Sequence, residues 1–144
     1  MSGTEQRLTF RLLSYWNRIR ATREFPSLAD VNIQEIAEMW HLTFTIALPE
    51  NEKPYFQYFG PELVGIIGEN LTNVDLEDAF HNSIMGSLIG FYDKVVAQRA
   101  PVSESSQFYN YGKEIRYRSL ILPLSSDGQR IDYLVGTTNY KAYD

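Results

Sequence analysis

The sequence predicts an α+β fold in which a five-stranded antiparallel sheet carries helices on one face and is capped by an N-terminal helix. Three observations support this fold class. An amphipathic helical pattern comes first, two aromatic and β-branched segments come before a helical middle, and three strand-like segments end the chain. The 144 residues suit a single domain. We divide it into an amphipathic dimerisation helix, residues 1–24, and the body of the domain, residues 25–144.

The N-terminal helix has one wide apolar stripe. At helical spacing the stripe consists of Leu8, Leu12, Tyr15, Trp16 and Ile19. Phe10 and Leu13 lie off this stripe, so we expect the helix to contact both its own sheet and a second subunit. Phe10, Leu13 and Trp16 are the candidates for the subunit contact. Pro26 ends the pattern, because proline disfavours the helical region for the residue before it.

The next segments predict a short helix and a hairpin. Asn32 followed by Glu35 resembles a capping pair for a helix over residues 33–38. Residues 42–48 and Tyr55–Phe59 are rich in aromatic and β-branched side chains and flank the turn-like sequence PENEKP. Glycines and Asn73 interrupt residues 61–80, so we expect short helical pieces there.

The second half predicts one long helix and three strands. The helix runs from residue 83 to about Arg99, with a core stripe of Met85, Leu88, Ile89, Tyr92 and Val96. The strands are VSESSQFYN, EIRYRSLILPL and RIDYLVGTTNY, and the Asp127-Gly128 step predicts a hairpin between the last two. In the middle strand, Arg116 and Arg118 share a side with two leucines. We therefore expect the N-terminal helix to cover one end of that side.

Three segments carry a family resemblance: YWNRIRATREFPSLADVNIQEI, FGPELVGIIGENLT and IRYRSLILPLSSDGQRIDYLVG. In this order and spacing they resemble the stand-alone bacterial PAS domains of the PAS_5 family. The matching positions of the first segment are Tyr15, Trp16, Arg20, Arg23, Pro26 and Asp30. The chain departs from the family at Leu28, where arginine is common, at Ile33, where proline is common, and at Asn73, where glycine is common. Asparagine tolerates the left-handed conformation better than most residues, so the change at Asn73 is mild.

The resemblance implies a PAS fold and a sensory or regulatory module of signal transduction, which is not a catalyst. Such domains bind a small ligand or a signalling protein partner, and they often form homodimers. The sequence leaves the cofactor open. A flavin–cysteine adduct is excluded because the chain has no cysteine. Haem would need His41 or His81 as its axial ligand, and we expect neither to serve.

The long helix has a side of small residues, formed by Ser83, Gly86, Ser87 and Gly90. Such a side allows close approach, either by a packed neighbouring element, which we favour, or by a ligand. If a ligand binds, it is a small apolar molecule. Our candidates for lining its pocket are Phe56, Tyr58, Gly86, Ile89, Gly90 and Tyr117.

Charge argues against a polyanion as partner. Five arginines, Arg7, Arg11, Arg18, Arg20 and Arg23, precede Glu24, but the net charge is −5 and we expect no nucleic acid partner. We interpret the segment instead as a structural tie in which Arg20 or Arg23 pairs with Asp30. No run approaches the roughly 20 apolar residues of a membrane span, so we expect no span and a cytoplasmic protein.

The alternative is an enzyme. Small cone-shaped, NTF2-like isomerases and dehydratases also combine helices with a curved sheet, and they use a carboxylate base beside a tyrosine or histidine in an apolar cavity. That fold places its helices before most of its strands, whereas here two strands precede the long helix. A buried carboxylate beside a tyrosine would favour this alternative.

Overall fold

The computed structural model describes residues 3–143, with side chains for residues 8–143. Helices and strands follow the predicted order. The helices are α1 (Gly3–Arg20), α2 (Ala37–Trp40), α3 (Pro61–Ile67), α4 (Leu76–Ala79), α5 (Ser83–Ile89) and α6 (Tyr92–Gln98), with 3₁₀ turns at Leu28–Asp30 and Ile33–Ile36. The strands are β1 (Thr43–Ala47), β2 (Tyr55–Phe59), β3 (Val102–Asn110), β4 (Lys113–Leu124) and β5 (Tyr133–Tyr143).

The five strands form one antiparallel sheet in the order β2-β1-β5-β4-β3. The first strand of the chain, β1, therefore pairs with the last strand, β5, in the interior of the sheet. A register shift between Thr45 and Ile46 puts an extra residue into β2. As a result Phe56 and Phe59, three positions apart, both enter the same core cluster.

Helices cover both faces of the sheet. On the inner face, α5 and α6 contact β4. On the outer face, α1 contacts β4 and β5. Side chains alternate along β4, so Tyr117, which bonds to α5, and Leu124, which contacts α1, lie on opposite faces. The prediction that α1 caps the sheet and covers one end of β4 is confirmed.

The predicted long helix is wrong, because the chain bends after Ile89. Helix α5 ends there and α6 begins at Tyr92. Phe91 adopts φ −86° and ψ 9° at the bend and is itself buried. The bend changes the helical phase, so Val95 is buried in α6 while Val96, which we expected in the core, is exposed.

Two smaller boundaries also differ. The short helix begins as the 3₁₀ turn Ile33–Ile36, whose first turn is capped by Asn32 Oδ1 accepting from Gln34 N–H at 3.0 Å. Strand β5 begins at Tyr133, so its connection to β4 is eight residues long, 125–132, longer than the predicted SSDGQ turn. Gly128 does adopt a positive φ of 81° in this loop.

Candidate functional site

The inner face of the sheet is filled by side chains. Phe44 on β1 and Phe56 on β2 are fully buried and pack edge to face with ring centroids 6.0 Å apart. Phe44 lies directly opposite Gly136 on β5. A Cβ at Gly136 would come within 2.5 Å of Phe44 Cζ, so the ring lies on the bare glycine backbone. The centre of this face is therefore a close-packed aromatic layer.

Two polar contacts lie within the inner layer. Tyr117 donates its hydroxyl hydrogen to the Ser87 carbonyl oxygen at 2.7 Å, which fastens α5 to β4. Burial raises the pKa of Tyr117, so the phenol stays protonated and available as a donor. The hydroxyls of Ser119 and Thr138 form a buried pair at 2.9 Å between β4 and β5. These hydroxyls are satisfied by each other, as buried polar groups require.

The predicted pocket residues divide between the two faces. Phe56, Ile89 and Tyr117 all belong to the hydrophobic core cluster. Tyr58 does not join them, because it pairs with Thr45 on the outer side of the sheet. There it stacks on Trp40 with centroids 4.6 Å apart and donates to the Trp40 carbonyl oxygen at 3.0 Å. Tyr58 is therefore corrected to an outer-face residue.

The small-residue side of α5 lies at the surface. Ser83, Ser87 and Gly90 are exposed, and a Cβ at Gly86 would meet no atom within 4 Å. A close-packed neighbour, the interpretation that we favoured, is therefore wrong for Gly86. Gly90 has a different constraint, since a Cβ there would come within 2.4 Å of the Gly86 carbonyl oxygen. Its close contact is with its own helix.

The histidines and carboxylates lie at or near the surface in the part of the chain whose side chains are described. His41 Nε2 lies 3.5 Å from Glu62 Oε1 at the surface, and His81 is exposed. Within residues 8–143, every Asp and Glu is half-buried or exposed. No group of three potential metal ligands occurs among the described residues. The condition that would favour the enzyme alternative is not met by these side chains.

On the outer face, α1 is fixed by its apolar stripe. Trp16 is buried, and its indole Nε1–H donates to the Pro123 carbonyl oxygen at 2.8 Å. Leu12 and Tyr15 are buried beside it. Trp16 was a candidate for contact with a second subunit, and the structure corrects this, because its side chain is enclosed by the chain's own sheet. Phe10, in contrast, is 68% exposed.

Phe10 and Leu13 line an open groove of about 300 Å³ where α1 lies beside β3 and β4, hereafter the α1 groove. Its other lining residues are Thr9, Ser103, Arg118 and Leu120. Phe10 and Leu13 are thus the α1 side chains that remain accessible next to an unfilled surface.

The end of α1 is tied to the following segment by Asp30. Arg23 Nη2 lies 2.9 Å from Asp30 Oδ2, while Arg20 donates instead to Asn17 Oδ1 and the Arg23 carbonyl oxygen. Asp30 also accepts from the backbone N–H of Ser27 at 2.8 Å. This backbone bond and, less strongly, the Arg23 guanidinium hold the pKa of Asp30 below its usual range. Asp30 therefore makes the tie as a carboxylate.

Two arginines of α1 have carboxylate partners among the described side chains. Arg11 pairs with Glu38 at 2.8 Å and Arg18 with Glu35 at 2.9 Å. The side chain of Arg7 lies outside the described residues. Exposed ion pairs of this kind contribute about 0–1 kcal/mol each to stability. The basic side predicted from the sequence thus faces acidic residues of the neighbouring helical turns.

Strand β3 and the turn after it expose two aromatic residues that were not among the predicted site residues. Tyr109 is 70% exposed and Tyr111 is 97% exposed. Tyr111 adopts φ 52° and Gly112 φ 77° in the turn to β4. A left-handed tyrosine is disfavoured by about 1–2 kcal/mol, so turn chemistry alone does not account for Tyr111. The signal in the sequence that could have indicated this exposed region is the predicted strand VSESSQFYN, which has one charge and no proline.

Among the described residues, no helix combines the length and apolar character needed to cross a membrane. The family model PAS_5, described as a PAS domain, matches residues 4–139, which include all of α1 after Gly3. No curated protein matches the chain.

Two solved structures share its architecture. A fungal LOV domain photoreceptor is 13% identical with a TM-score of 0.50, and the match covers 80% of this chain and 95% of the other. The PAS domain of BvgS from Bordetella pertussis is 11% identical with a TM-score of 0.50, covering 74% and 85%. At these identities the likeness shows the fold alone.

Proposed function

We propose that this chain, which belongs to the PAS_5 family of PAS domains, is a sensory signalling module that acts through protein contacts, with a homodimer as its working form. PAS domains are typically sensory modules and not catalysts. A single observation carries the proposal: α1 is fixed to the sheet by one side and leaves Phe10 exposed beside the α1 groove. A large apolar side chain exposed next to a groove lined by apolar and polar residues is typical of a protein contact surface.

The homodimer would use the outer face. Phe10 is exposed and Leu13 is half-buried at the border between α1 and the sheet, so a second subunit would cover them without displacing Trp16. Burying an aromatic side chain of this kind commonly supplies much of the binding energy of an interface.

Signalling then requires two arrangements of α1 with different affinities for a partner. A ligand or protein shifts such an equilibrium only by its difference in affinity for the two states. The contacts that define the docked state are the Trp16 bond to Pro123 and the hydroxyl of Tyr15, which accepts from Asn32 N–H at 2.7 Å. Both contacts join α1 to segments on the sheet side, so release of α1 would break them together.

A small apolar ligand in the inner layer is the second route by which the equilibrium could be biased. Phe56, Ile89 and Tyr117 are the sequence-based candidates that share this layer. Because Phe44 packs onto Gly136 at its centre, a ligand there would have to displace the Phe44 ring. We favour the partner-driven route for that reason. Native mass spectrometry of protein purified without denaturation reports bound ligand and subunit number together, and a co-purifying small molecule would favour the ligand route.

The test of the homodimer is the solution mass measured by light scattering across a concentration series. We expect a dimer for the unmodified chain, and a shift toward monomer for Phe10→Ser and for a chain lacking residues 1–14. Val96→Ser is the matched control, since Val96 is an exposed apolar residue on α6, away from the groove. A chain that stays monomeric at high concentration, or a dimer indifferent to Phe10→Ser, would contradict the proposal.

A further inference from the structure

Strand β3 forms one edge of the sheet and has little of the usual protection against pairing. All nine residues of Val102–Asn110 pair with β4 without a register shift, and no other described strand pairs with β3. Natural edge strands are commonly blunted by proline, lysine or a bulge. In β3 the single charged residue is Glu104, and it is already paired with Lys94 at 2.7 Å. The edge is therefore suited to accept another strand.

The outer side of β3 carries the exposed ring of Tyr109 at one end and the α1 groove at the other. Tyr109 pairs with Glu114 and Ser103 pairs with Leu120 across the β3–β4 ladder. Residues 103 and 109 are an even number apart, so their side chains lie on the same face. Tyr109 is too far along the strand to enter the groove of its own chain. If β3 of a second copy ran antiparallel beside this strand, its Tyr109 would lie at the end of the strand where the groove is.

We propose that two copies of the chain associate by antiparallel pairing of β3 with β3, centred on Ser106, and that each Tyr109 enters the α1 groove of the other copy. This inference rests on the proposed homodimer and specifies its geometry. In this register Ser106 faces its counterpart, and Tyr109 of one copy faces Ser103 of the other. Directly opposed side chains in an antiparallel pair are about 5 Å apart, and an aromatic ring reaches one position further. That reach takes Tyr109 of one copy toward Phe10 and Leu120 of the other copy.

The centred register is the one that uses the whole strand. Pairing about Ser106 matches all nine residues of β3, because Val102 then faces Asn110. A shift of two positions, the smallest that keeps the same faces together, loses two residue pairs and moves Tyr109 away from Ser103. No like charges meet in the centred register, since Glu104 faces Phe108. Sequence, exposure and groove position thus select one register.

Twofold symmetry makes the arrangement self-complementary. Each subunit offers the same edge, the same tyrosine and the same groove, as a closed dimer requires. The symmetry also explains why Phe10 and Leu13 are left accessible: in the dimer they form a wall against the second copy's Tyr109. The unpaired backbone groups of both edges are satisfied by the same contact, which gives the interface strand pairing as well as an aromatic anchor.

Single cysteines test the register, because the natural chain contains none. In the centred pair the two Cα atoms at position 106 lie about 4.5–5.5 Å apart, within the range that a disulfide spans. Ser106→Cys should therefore give a covalent dimer under mild oxidation, visible by non-reducing electrophoresis. Ser103→Cys is the matched control: its two copies are separated by six residues along the strands, roughly 20 Å, and should not cross-link.

The outcomes of this test separate the two proposals. Cross-linking at position 106 and not at 103 supports β3 pairing. A dimer by light scattering that cross-links at neither position, or at both, overturns the β3 geometry and leaves the homodimer standing. A chain that is monomeric by light scattering and does not cross-link overturns both.

A second pair of variants tests the aromatic anchor. Tyr109→Ser should raise the dimer dissociation constant by roughly tenfold or more, because a buried interface tyrosine is lost from two symmetric sites. Tyr140→Ser is the control, since Tyr140 is 37% exposed on β5, two strands from the edge. Equal effects of the two substitutions, or no effect of Tyr109→Ser in variants that circular dichroism shows to be folded, would overturn the placement of Tyr109.

Discussion

The two halves of β4 belong to one strand but have different surroundings. From residue 119 to residue 124 every side chain is buried, because α1 covers the outer face there and the helical layer covers the inner face. From residue 113 to residue 118 the strand alternates, with Ile115 and Tyr117 buried and Arg116 exposed. The difference shows that the reach of α1 decides which part of the sheet is core and which part is surface.

This boundary places stability and recognition in different residues. Trp16 of α1 lies over the covered half of β4, where its side chain fixes α1 to the sheet. Phe10 lies six residues earlier in α1, at the boundary, and Tyr109 of β3 pairs with Glu114 in the open half of β4. We therefore expect substitutions in the covered half to change folding stability, and substitutions at the boundary and beyond to change association.

The largest expected effect is at Trp16. Trp16→Ala should lower the free energy of unfolding by about 3–5 kcal/mol, because it removes a buried aromatic side chain and leaves a cavity. Phe10→Ala, on the exposed side of the same helix, should change it by no more than about 0.5 kcal/mol. Urea denaturation followed by circular dichroism, at a concentration where both variants are monomeric, measures the two values. Similar losses for both would remove the distinction between the two sides of α1.

The next effect is at the centre of the covered sheet. Gly136→Ala should cost about 1–3 kcal/mol, since the new methyl group would overlap Phe44 Cζ at 2.5 Å and the Leu120 carbonyl oxygen at 2.7 Å. Phe44→Leu makes room for the methyl but not for the carbonyl contact. The double variant should therefore be less destabilised than the sum of the two single variants. Strict additivity in thermal or urea unfolding would show that the ring does not lie on Gly136.

These two residues also show what the sequence could not predict. The apolar stripe of α1, the strand order of the C-terminal half and the left-handed Asn73, which adopts φ 69°, follow from local spacing and local conformational preference. The contact between Phe44 and Gly136 depends on the register of strands 92 positions apart, which no local pattern encodes.

The helix bend at Gly90 and the outer position of Tyr58 were missed for related reasons. A helical glycine is a weak signal, and its contact with the Gly86 carbonyl depends on backbone angles that propensity does not specify. Tyr58 changes face because one extra residue enters β2 at the bulge. A single inserted residue reverses the alternation of every side chain after it, so facing cannot be counted along a strand that contains a bulge.

A smaller effect on stability is expected at Asp30, which ties the end of α1 to the segment that follows it. Asp30→Ala should cost about 1 kcal/mol at neutral pH, since Ser27 N–H and Arg23 lose their acceptor. The lowered pKa of Asp30 means that this contribution is complete above the unfolded-state pKa of about 3.9 and is lost as the pH falls through the lower, folded-state value. Urea denaturation at several pH values should show the variant and the natural chain converging below about pH 4. A gap that stays constant in acid would mean that the Asp30 carboxylate does not make the tie.

The smallest effect applies the same contrast to α5, in which Met85, Leu88 and Ile89 are buried while Ser83 and Ser87 are exposed. Gly86→Ala should stabilise the chain by up to about 1 kcal/mol, because a Cβ there meets no atom and alanine is the better helix former. Gly90→Ala should destabilise, because its Cβ would approach the Gly86 carbonyl oxygen to 2.4 Å. Thermal unfolding of the two variants gives the comparison directly. If Gly86→Ala instead weakened binding of a co-purified molecule or partner while leaving the fold stable, this open side of α5 would be a second recognition surface. Recognition would then involve α5 as well as the β3 edge.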